Sequence, residues 1–223
     1  MNVINENNVK NIILGAGSHA HALMMLLREC DMKVFGCVAP SPPETSRQDT
    51  CRWLGNDDVL KQFDQRSTYV FNGIGSTGST SLRQAIFKKN SECGFRFGSI
   101  VHPTAIIAND VMLSQGVQMF PGVIIQHNVK IAEDVLLNTG CIIEHDCTIG
   151  AHSHVAPGAV LSGGVIIGEG VHVGASSVVA QGVCIGNNAI IGIGAVVIRD
   201  VPENTIAIGN PARAYASNKV KSQ

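Results

Sequence analysis

The chain has 223 residues with a formal net charge of −1; 45% of them are hydrophobic, 15% charged and 4% aromatic, and 24 are Gly. A disordered chain needs fewer apolar residues and more net charge, and a coiled coil needs far more Glu, Lys and Ala, so both classes are excluded. Near-neutrality also argues against a surface that binds nucleic acid or anionic membrane. A Gly-rich chain with few rings favours short strands and many turns.

The cysteines and the first residues bear on the compartment. Seven cysteines occur without a Cys-x-x-Cys pair, which predicts reduced thiols in a cytoplasmic protein. Residues 1–8 are polar, and no run of about 18 apolar residues occurs, so neither secretion nor a membrane span is expected.

The chain begins with a strand, a Gly-rich turn and a helix. Val9 to Leu14 is an apolar run, Gly15-Ala16-Gly17-Ser18-His19-Ala20 follows it, and an apolar helix is predicted through Leu27. In this layout backbone N–H groups and a helix N-terminus face a phosphate. We therefore expect the turn with Gly15, Gly17 and Ser18 to face the phosphates of a substrate.

The next elements complete a small α/β module. A second strand, Lys33 to Val38, ends in Ala39-Pro40 without the acidic residue that would hold an NAD ribose, so a dinucleotide oxidoreductase is disfavoured. The remaining predicted elements, in order, are a loop from Pro40 to Thr50, a helix near Asp57 to Phe63, a strand from Thr68 to Ile74, a turn from Gly75 to Thr80 and a helix from Leu82 to Glu92. The alternation predicts a Rossmann-like α/β domain over residues 1–99.

Beyond about Gly98 the sequence repeats every six residues. The first repeating set contains only aliphatic residues and Met: Ile107, Leu113, Met119, Ile125, Ile131, Leu137, Ile143, Ile149, Val155, Leu161, Ile167, Val173, Val179, Ile185, Ile191 and Val197. An α-helix would repeat every 3.6 residues. A period of six indicates a parallel β-helix, in which three repeats close one triangular coil.

A second set lies four positions after the first, from Val111 to Val201, and holds small or β-branched residues without any charge. We expect the long aliphatics to point inward with these small residues beside them, over five to six coils stacked at about 4.8 Å. The β-helix is predicted for residues 100–202, followed by a C-terminal tail, 203–223.

Residues eighteen positions apart stack on one edge of such a prism. Two pairs of histidines have this spacing: His127 with His145, and His154 with His172. Histidine is suited to accept a proton near neutral pH, and a neighbouring carboxylate can fix its tautomer. Ile143-Glu144-His145-Asp146 has that composition, with either Asp146 or Glu144 as the residue that orients His145.

Four segments in order resemble a known family. They are the α/β module, the hexapeptide prism, Ile143-Glu144-His145-Asp146 and Gly209-Asn210-Pro211-Ala212-Arg213. From Val9 to Tyr215 the chain resembles the sugar O/N-acetyltransferases, which include nucleotide-linked 4-amino-4,6-dideoxy-sugar N-acetyltransferases and sialic acid O-acetyltransferases. The resemblance implies a left-handed β-helix, a homotrimer with active sites between subunits, and acetyl-CoA as co-substrate without a metal. It favours N-acetylation of a nucleotide-linked amino sugar for surface glycan such as lipopolysaccharide O-antigen.

The resemblance also implies roles at the sugar. His145 would be the general base with Asp146 beside it, Glu144 and Asn138 would lie near the sugar, and His19 would lie at the nucleotide end.

At the coenzyme, His154 would contact the acetyl carbonyl and the backbone N–H of Gly163 would hold the thioester oxygen. Gly174 would let the pantetheine approach the backbone. Arg213, with the Lys219 and Lys221 tail, would meet the coenzyme phosphates.

Several alternatives stay open at this point. Family members that use uridine carry paired Asp after the second strand, where this chain has Ala39-Pro40-Ser41, so uridine, thymidine and guanosine diphosphate sugars are all candidates. O-acetylation of a sialic acid or other sugar is the main alternative reaction. A zinc enzyme resembling γ-class carbonic anhydrases and a non-catalytic trimeric scaffold are weaker alternatives. The zinc enzyme would draw its ligands from a set of four histidines: His127, His145, His152 and His154.

Overall fold

The computed structural model describes residues 9–43 and 51–217. The chain forms two compact units, Met1–Gly75 with Ala85–Ile100, and Ser76–Gln84 with Val101–Gln223. Part of the loop predicted from Pro40 to Thr50, and both tail lysines, lie outside the described residues.

The first unit contains a five-stranded parallel sheet. Its strands are β1 (Lys10–Leu14), β2 (Val34–Val38), β3 (Trp53–Gly55), β4 (Thr68–Asn72) and β5 (Arg96–Phe97), in the order β3-β2-β1-β4-β5. Its helices are α1 (Ser18–Glu29), a 3-10 helix (Asp57–Gln62) and α2 (Ser81–Glu92), and the boundary between the two units falls inside α2. The predicted Rossmann-like arrangement is confirmed. The short strands β3 and β5 were not predicted, and a 3-10 helix stands where a helix was expected.

A parallel sheet buried on both faces needs continuous apolar strands, and β1 supplies one. Ile12, Ile13 and Leu14 are buried, and Ile12 and Leu14 pack with Val38, Val70 and other apolar side chains of this unit. Both α-helices of the described chain have 12 residues, short of the roughly 20 that cross a bilayer.

The second unit is a parallel β-helix with three faces. Face 1 holds β7 (Ile106–Ile107), β10 (Ile124–Ile125), β13 (Ile142–Ile143), β16 (Val160–Leu161), β19 (Val178–Val179) and β22 (Val196–Val197). Face 2 holds β8 (Met112–Leu113), β11 (Lys130–Ile131), β14 (Thr148–Ile149), β17 (Ile166–Ile167) and β20 (Cys184–Ile185). Face 3 holds β6 (Ile100–Val101), β9 (Gln118–Met119), β12 (Leu136–Leu137), β15 (His154–Val155), β18 (His172–Val173), β21 (Ile190–Ile191), β23 (Thr205–Gly209) and β24 (Ala212–Ser217).

The strands coil in the left-handed sense, against the usual preference for right-handed parallel crossovers. Each strand pairs with the one eighteen residues away, as Ile124 does with Ile142. The two repeating sets form the core, and Ile143 and Cys141 are fully buried. Leu113 is 42% exposed because β8 is the edge strand of its sheet.

Three edges join the faces. Edge A leads from face 3 to face 1 and contains residues 120–123, 138–141, 156–159 and 174–177. Edge B leads from face 1 to face 2 and contains residues 126–129, 144–147 and 162–165. Edge C leads from face 2 to face 3 and contains residues 132–135, 150–153 and 168–171. In each of these corners the third residue has positive φ, and Gly, Asn, Asp, His or Ser occupies it. Asp146 is such a residue, with φ 61°. Asp tolerates the left-handed region better than most side chains, which explains its presence there.

Two segments differ from the sequence-based expectation. Ser76–Gln84 was placed with the first domain but belongs to the second unit, where Thr80 donates a hydrogen bond to the carbonyl of Gly170. The region after Pro202 was expected as a tail, yet β23 extends face 3 and β24 pairs with it in an antiparallel hairpin.

Candidate active site

The Gly-rich turn between β1 and α1 opens onto a cavity of about 370 Å³. Its lining combines that turn with the segment after β2: Gly15, Ala16, Gly17, Ser18, Ala20, His21, Ala39, Pro40, Ser41, Pro42, Pro43, Cys51 and Ile74. Gly17 is the N-cap of α1, gives no side-chain cap, and is followed by no acidic residue in the first turn. The positive end of the helix dipole therefore faces a space large enough for a phosphate group.

The two glycines of this turn differ in the space that a side chain would have. Gly15 has φ +119°, and a Cβ there would lie 3.0 Å from a methyl of Ile74, so the fold itself requires glycine. A Cβ on Gly17 would meet no protein atom within 4 Å. Open space beside Gly17 is what a bound group would need.

His19 is not among the residues that line the cavity, and its expected place at the nucleotide stays a prediction. Its Cβ lies 3.0 Å from the position a Cβ on Gly75 would take, so the residue packs toward that loop. His21, one helical step further, lines the cavity instead. The strand-turn-helix pattern located the cavity, while the direction of each helical side chain decided which histidine reaches it.

His145 and Asp146 form a hydrogen-bonded pair on edge B. Nδ1 of His145 lies 2.7 Å from Oδ2 of Asp146, and both side chains are about half exposed. This bond and one from Asn128 hold the pKa of Asp146 below its ordinary value. Among the described contacts Glu144 makes no bond to His145, so Asp146 orients the ring.

Asn128, one coil away from Asp146, completes this arrangement. Its Nδ2 donates to Oδ1 of Asp146 at 2.7 Å, and its backbone N–H donates to Asp110 at 3.1 Å. The sequence contains the signal, because Asn128 precedes Asp146 by eighteen residues. Asp146 thus uses one oxygen for Asn128 and the other for His145.

Gly163 lies directly against the His145 ring, as the spacing of eighteen predicts. A Cβ at Gly163 would lie 2.6 Å from Cε1 and 2.7 Å from Nε2 of that ring. Among the described residues, no protein acceptor takes the backbone N–H of Gly163. Gly163 therefore lies next to Nε2, the ring nitrogen that does not contact Asp146.

Asn138 and His154 form a second group, near edge A and face 3. Nδ2 of Asn138 lies 3.3 Å from Nε2 of His154, and Nδ1 of His154 lies 2.8 Å from Oγ of Ser76. His154 is buried, with 5% of its surface exposed. Ser76, which sequence reasoning missed, reaches this group because Ser76–Gln84 packs on the β-helix.

The two groups lie apart within one chain. Asn138 occupies the corner that precedes β13, and His145 occupies the corner that follows it. The structure therefore brings together His145, Asp146 and Gly163 on one edge, and Asn138 with His154 at another.

Gly174 and Arg213 were expected to serve the coenzyme. A Cβ on Gly174 would lie 2.6 Å from the carbonyl oxygen of Ile191. The backbone that lies close to Gly174 is therefore that of the next coil of the same chain. Arg213 is exposed on β24, and within the described residues its guanidinium donates to the carbonyl of Ala212 alone. Its remaining donors are open to a phosphate.

The histidines weighed as zinc ligands occupy separate places. Within the described residues no group of three or more His, Cys, Asp or Glu could hold a metal ion. His127 and His145 lie on edge B, each with Nδ1 on a carboxylate. His152 is buried at edge C, 3.0 Å from Asp134, and His154 is bonded to Ser76.

Burial raises the pKa of the Cys141 thiol to about 12. Such a thiol stays protonated at neutral pH and is a poor nucleophile. Cys141 is therefore a core residue, as its place in the small repeating set predicts.

Comparisons with known proteins agree with this architecture. Residues 128–163 match the family model described as bacterial transferase hexapeptide (six repeats). PerB of Caulobacter crescentus, solved with CoA and GDP-perosamine, is 33% identical, with a TM-score of 0.85 over 93% of this chain and 97% of that one. Two further solved structures share the fold, and each matches 93% of this chain and 100% of its own. The acetyltransferase domain of PglB from Neisseria gonorrhoeae is 24% identical with a TM-score of 0.84, and WeeI from Acinetobacter baumannii is 22% identical with a TM-score of 0.83. A comparison with curated protein sequences returned no match.

An α/β module joined to a left-handed β-helix of hexapeptide repeats, with a His-Asp pair on one edge, defines a hexapeptide-repeat transferase. The identity to PerB extends over nearly the whole of both chains. The chain belongs to the family of nucleotide-sugar N-acetyltransferases that includes perosamine N-acetyltransferase.

Proposed function

We propose that the protein transfers the acetyl group of acetyl-CoA to the 4-amino group of a nucleotide-diphosphate-linked 4-amino-4,6-dideoxy sugar. The single observation that carries this proposal is the His145 ring, which is held through Nδ1 by Asp146 and lies against Gly163, whose backbone N–H has no acceptor among the described residues. A base and an oxyanion donor are thus adjacent, as acyl transfer requires.

The chemistry follows from the tautomer of His145. Nδ1 donates its proton to Asp146, so Nε2 carries a lone pair and accepts a proton from the sugar amine. The amine nitrogen attacks the thioester carbon directly, an N–C bond forms, the C–S bond breaks, and the proton on His145 passes to the departing thiolate. The N–H of Gly163 stabilises the negative charge on the carbonyl oxygen. No covalent intermediate on the enzyme is required.

The nucleotide binds the cavity beside Gly17, with its diphosphate at the N-terminus of α1. Of the three bases left open by the sequence, guanine is favoured, because PerB was solved with GDP-perosamine. The segment Ala39-Pro40-Ser41 lines this cavity without any carboxylate.

The working unit is a homotrimer with active sites between subunits. His145 on edge B and Asn138 on edge A lie apart in one chain, and a neighbouring copy that brings its edge A to this edge B unites them. We place the enzyme in the cytoplasm, in the synthesis of a surface glycan such as O-antigen. Its described cysteines are free thiols, which agrees with a reducing compartment.

The test follows thiol release from acetyl-CoA with guanosine, thymidine and uridine diphosphate 4-amino sugars, and with free sialic acid. We expect turnover with the guanosine sugar and its loss by at least 10²-fold in His145→Ala. His127→Ala is a matched control, because His127 lies one coil away on edge B with its own Asp partner, and it should keep near-normal turnover. Acetylation of sialic acid alone, or full activity of His145→Ala, would refute the proposal.

A further inference from the structure

Ser76 contacts two histidines stacked one coil apart. Its Oγ lies 2.8 Å from Nδ1 of His154 and 3.2 Å from Nδ1 of His172. His154 and His172 are register partners on face 3, only 5% and 8% exposed, with ring centroids 5.0 Å apart. One hydroxyl therefore links two buried rings, and a hydroxyl can accept one bond while donating another.

The position of Ser76 is fixed by the segment that carries it. Thr80 bonds to Gly170 at 2.9 Å, and the fully buried guanidinium of Arg83 lies 2.8 Å from Oδ1 of Asp134. These contacts fasten residues 80 and 83, which follow Ser76 in the same segment, to the β-helix. Ser76 is thus held by the fold.

One backbone donor sets the direction of the hydrogen bonds. The N–H of Thr139 lies 2.8 Å from Oδ1 of Asn138, and a backbone nitrogen can only donate, so that side of the amide is the oxygen. The other side, Nδ2, then faces Nε2 of His154 at 3.3 Å and must donate to it. With Nε2 as acceptor, the neutral His154 ring carries its proton on Nδ1 and donates it to Ser76.

The hydroxyl proton of Ser76 then points to Nδ1 of His172. Burial lowers the pKa of His172 to about 4, which keeps this ring neutral and able to accept at Nδ1. The four side chains form a directed relay, from Asn138 to His154 to Ser76 to His172.

We propose that Ser76 is a positioning residue that locks His154 in its Nδ1–H tautomer, so that the Asn138 amide, and not the His154 ring, is the hydrogen-bond donor offered to the bound substrates. An unprotonated Nε2 cannot donate to an acetyl carbonyl, whereas the amide nitrogen of Asn138 has a second hydrogen. This assignment replaces the direct His154 contact that the family resemblance implies. The effect on turnover rests on the proposed function; the tautomer does not.

The experiment compares Ser76→Ala with Thr77→Ala. Thr77 is the exposed neighbour of Ser76, and its hydroxyl makes no hydrogen bond within the described residues. Protein labelled with 15N-histidine reports the protonated nitrogen of each ring, and His154→Gln assigns the His154 signal. We expect one Nδ1–H tautomer for His154 in the wild type and in Thr77→Ala. Ser76→Ala should add the Nε2–H form and lower kcat about tenfold with little change in the KM for the nucleotide sugar.

Two further variants distinguish an effect on the His154 tautomer from simple misfolding. Ser76→Thr restores a hydroxyl and should recover the tautomer and most of kcat. Asn138→Asp removes the amide donor and presents an acceptor, so it should move the His154 proton to Nε2.

An Nε2–H form of His154 in the wild type would overturn the relay, as would tautomers and kcat in Ser76→Ala equal to those of Thr77→Ala. If the wild type acetylates no amino sugar but the tautomer still responds to Ser76→Ala, the relay stands and the proposed function fails.

Discussion

Gly163→Ala tests whether His145 acts from the position that the structure gives it. The new Cβ would lie 2.6 Å from Cε1 and 2.7 Å from Nε2 of His145. Carbon atoms in good contact lie about 3.5–4.0 Å apart, so the ring must move by about 1 Å. Gly163 is not among the residues with positive φ, so its backbone accepts alanine without strain.

A displacement of about 1 Å at a catalytic group can cost roughly 10²-fold in rate. We therefore expect kcat of Gly163→Ala to fall about 10²-fold, or about 2.7 kcal/mol of transition-state stabilisation. The ring is half exposed and can swing away, so the melting temperature should change little. The bond from His145 to Asp146 would break or lengthen as the ring moves.

The assay is steady-state thiol release with both substrates varied, performed in a cycle with His145→Ala. Because the alanine acts through the ring, Gly163→Ala should have little further effect once His145 is removed. A kcat within twofold of wild type, or additive losses in the double variant, would refute this reasoning.

Four other changes address separate parts of the molecule. Gly17→Ala, whose Cβ meets no protein atom, should raise the KM for the nucleotide sugar about tenfold and leave that for acetyl-CoA unchanged; equal effects on both would contradict the assigned cavity. Asn128→Ala removes a bond that lowers the pKa of Asp146, so the carboxylate protonates at higher pH and the acid limb of kcat/KM should shift upward. Arg83→Met removes the guanidinium that is paired with the buried carboxylate of Asp134 and should lower the free energy of unfolding in urea by about 3–5 kcal/mol. Cys141→Ala should keep full kcat, since a thiol with a pKa of about 12 is no nucleophile; a tenfold loss would place it in the reaction.

Much of the β-helix was predictable because its geometry is periodic. A spacing of eighteen placed Gly163 against His145 without any coordinates, and the same spacing contained Asn128 beside Asp146. By contrast, His19 and His21 are two positions apart on one helix, and only the course of α1 decided that His21 reaches the cavity. The 3-10 helix and the two short strands lack the long periodic signal that makes an element predictable.

The sequence by itself determined the coil, its register and the coil position of His145, because each depends on residues whose spacing along the chain fixes their spacing in the prism. The tertiary structure decided which carboxylate holds His145, since Glu144 and Asp146 flank it equally in sequence and differ only in the turn of the corner. It also decided that Ser76 belongs with His154, 78 residues away. No periodicity links these two residues; they meet because the buried Arg83 and its neighbours anchor one segment of the chain on the β-helix.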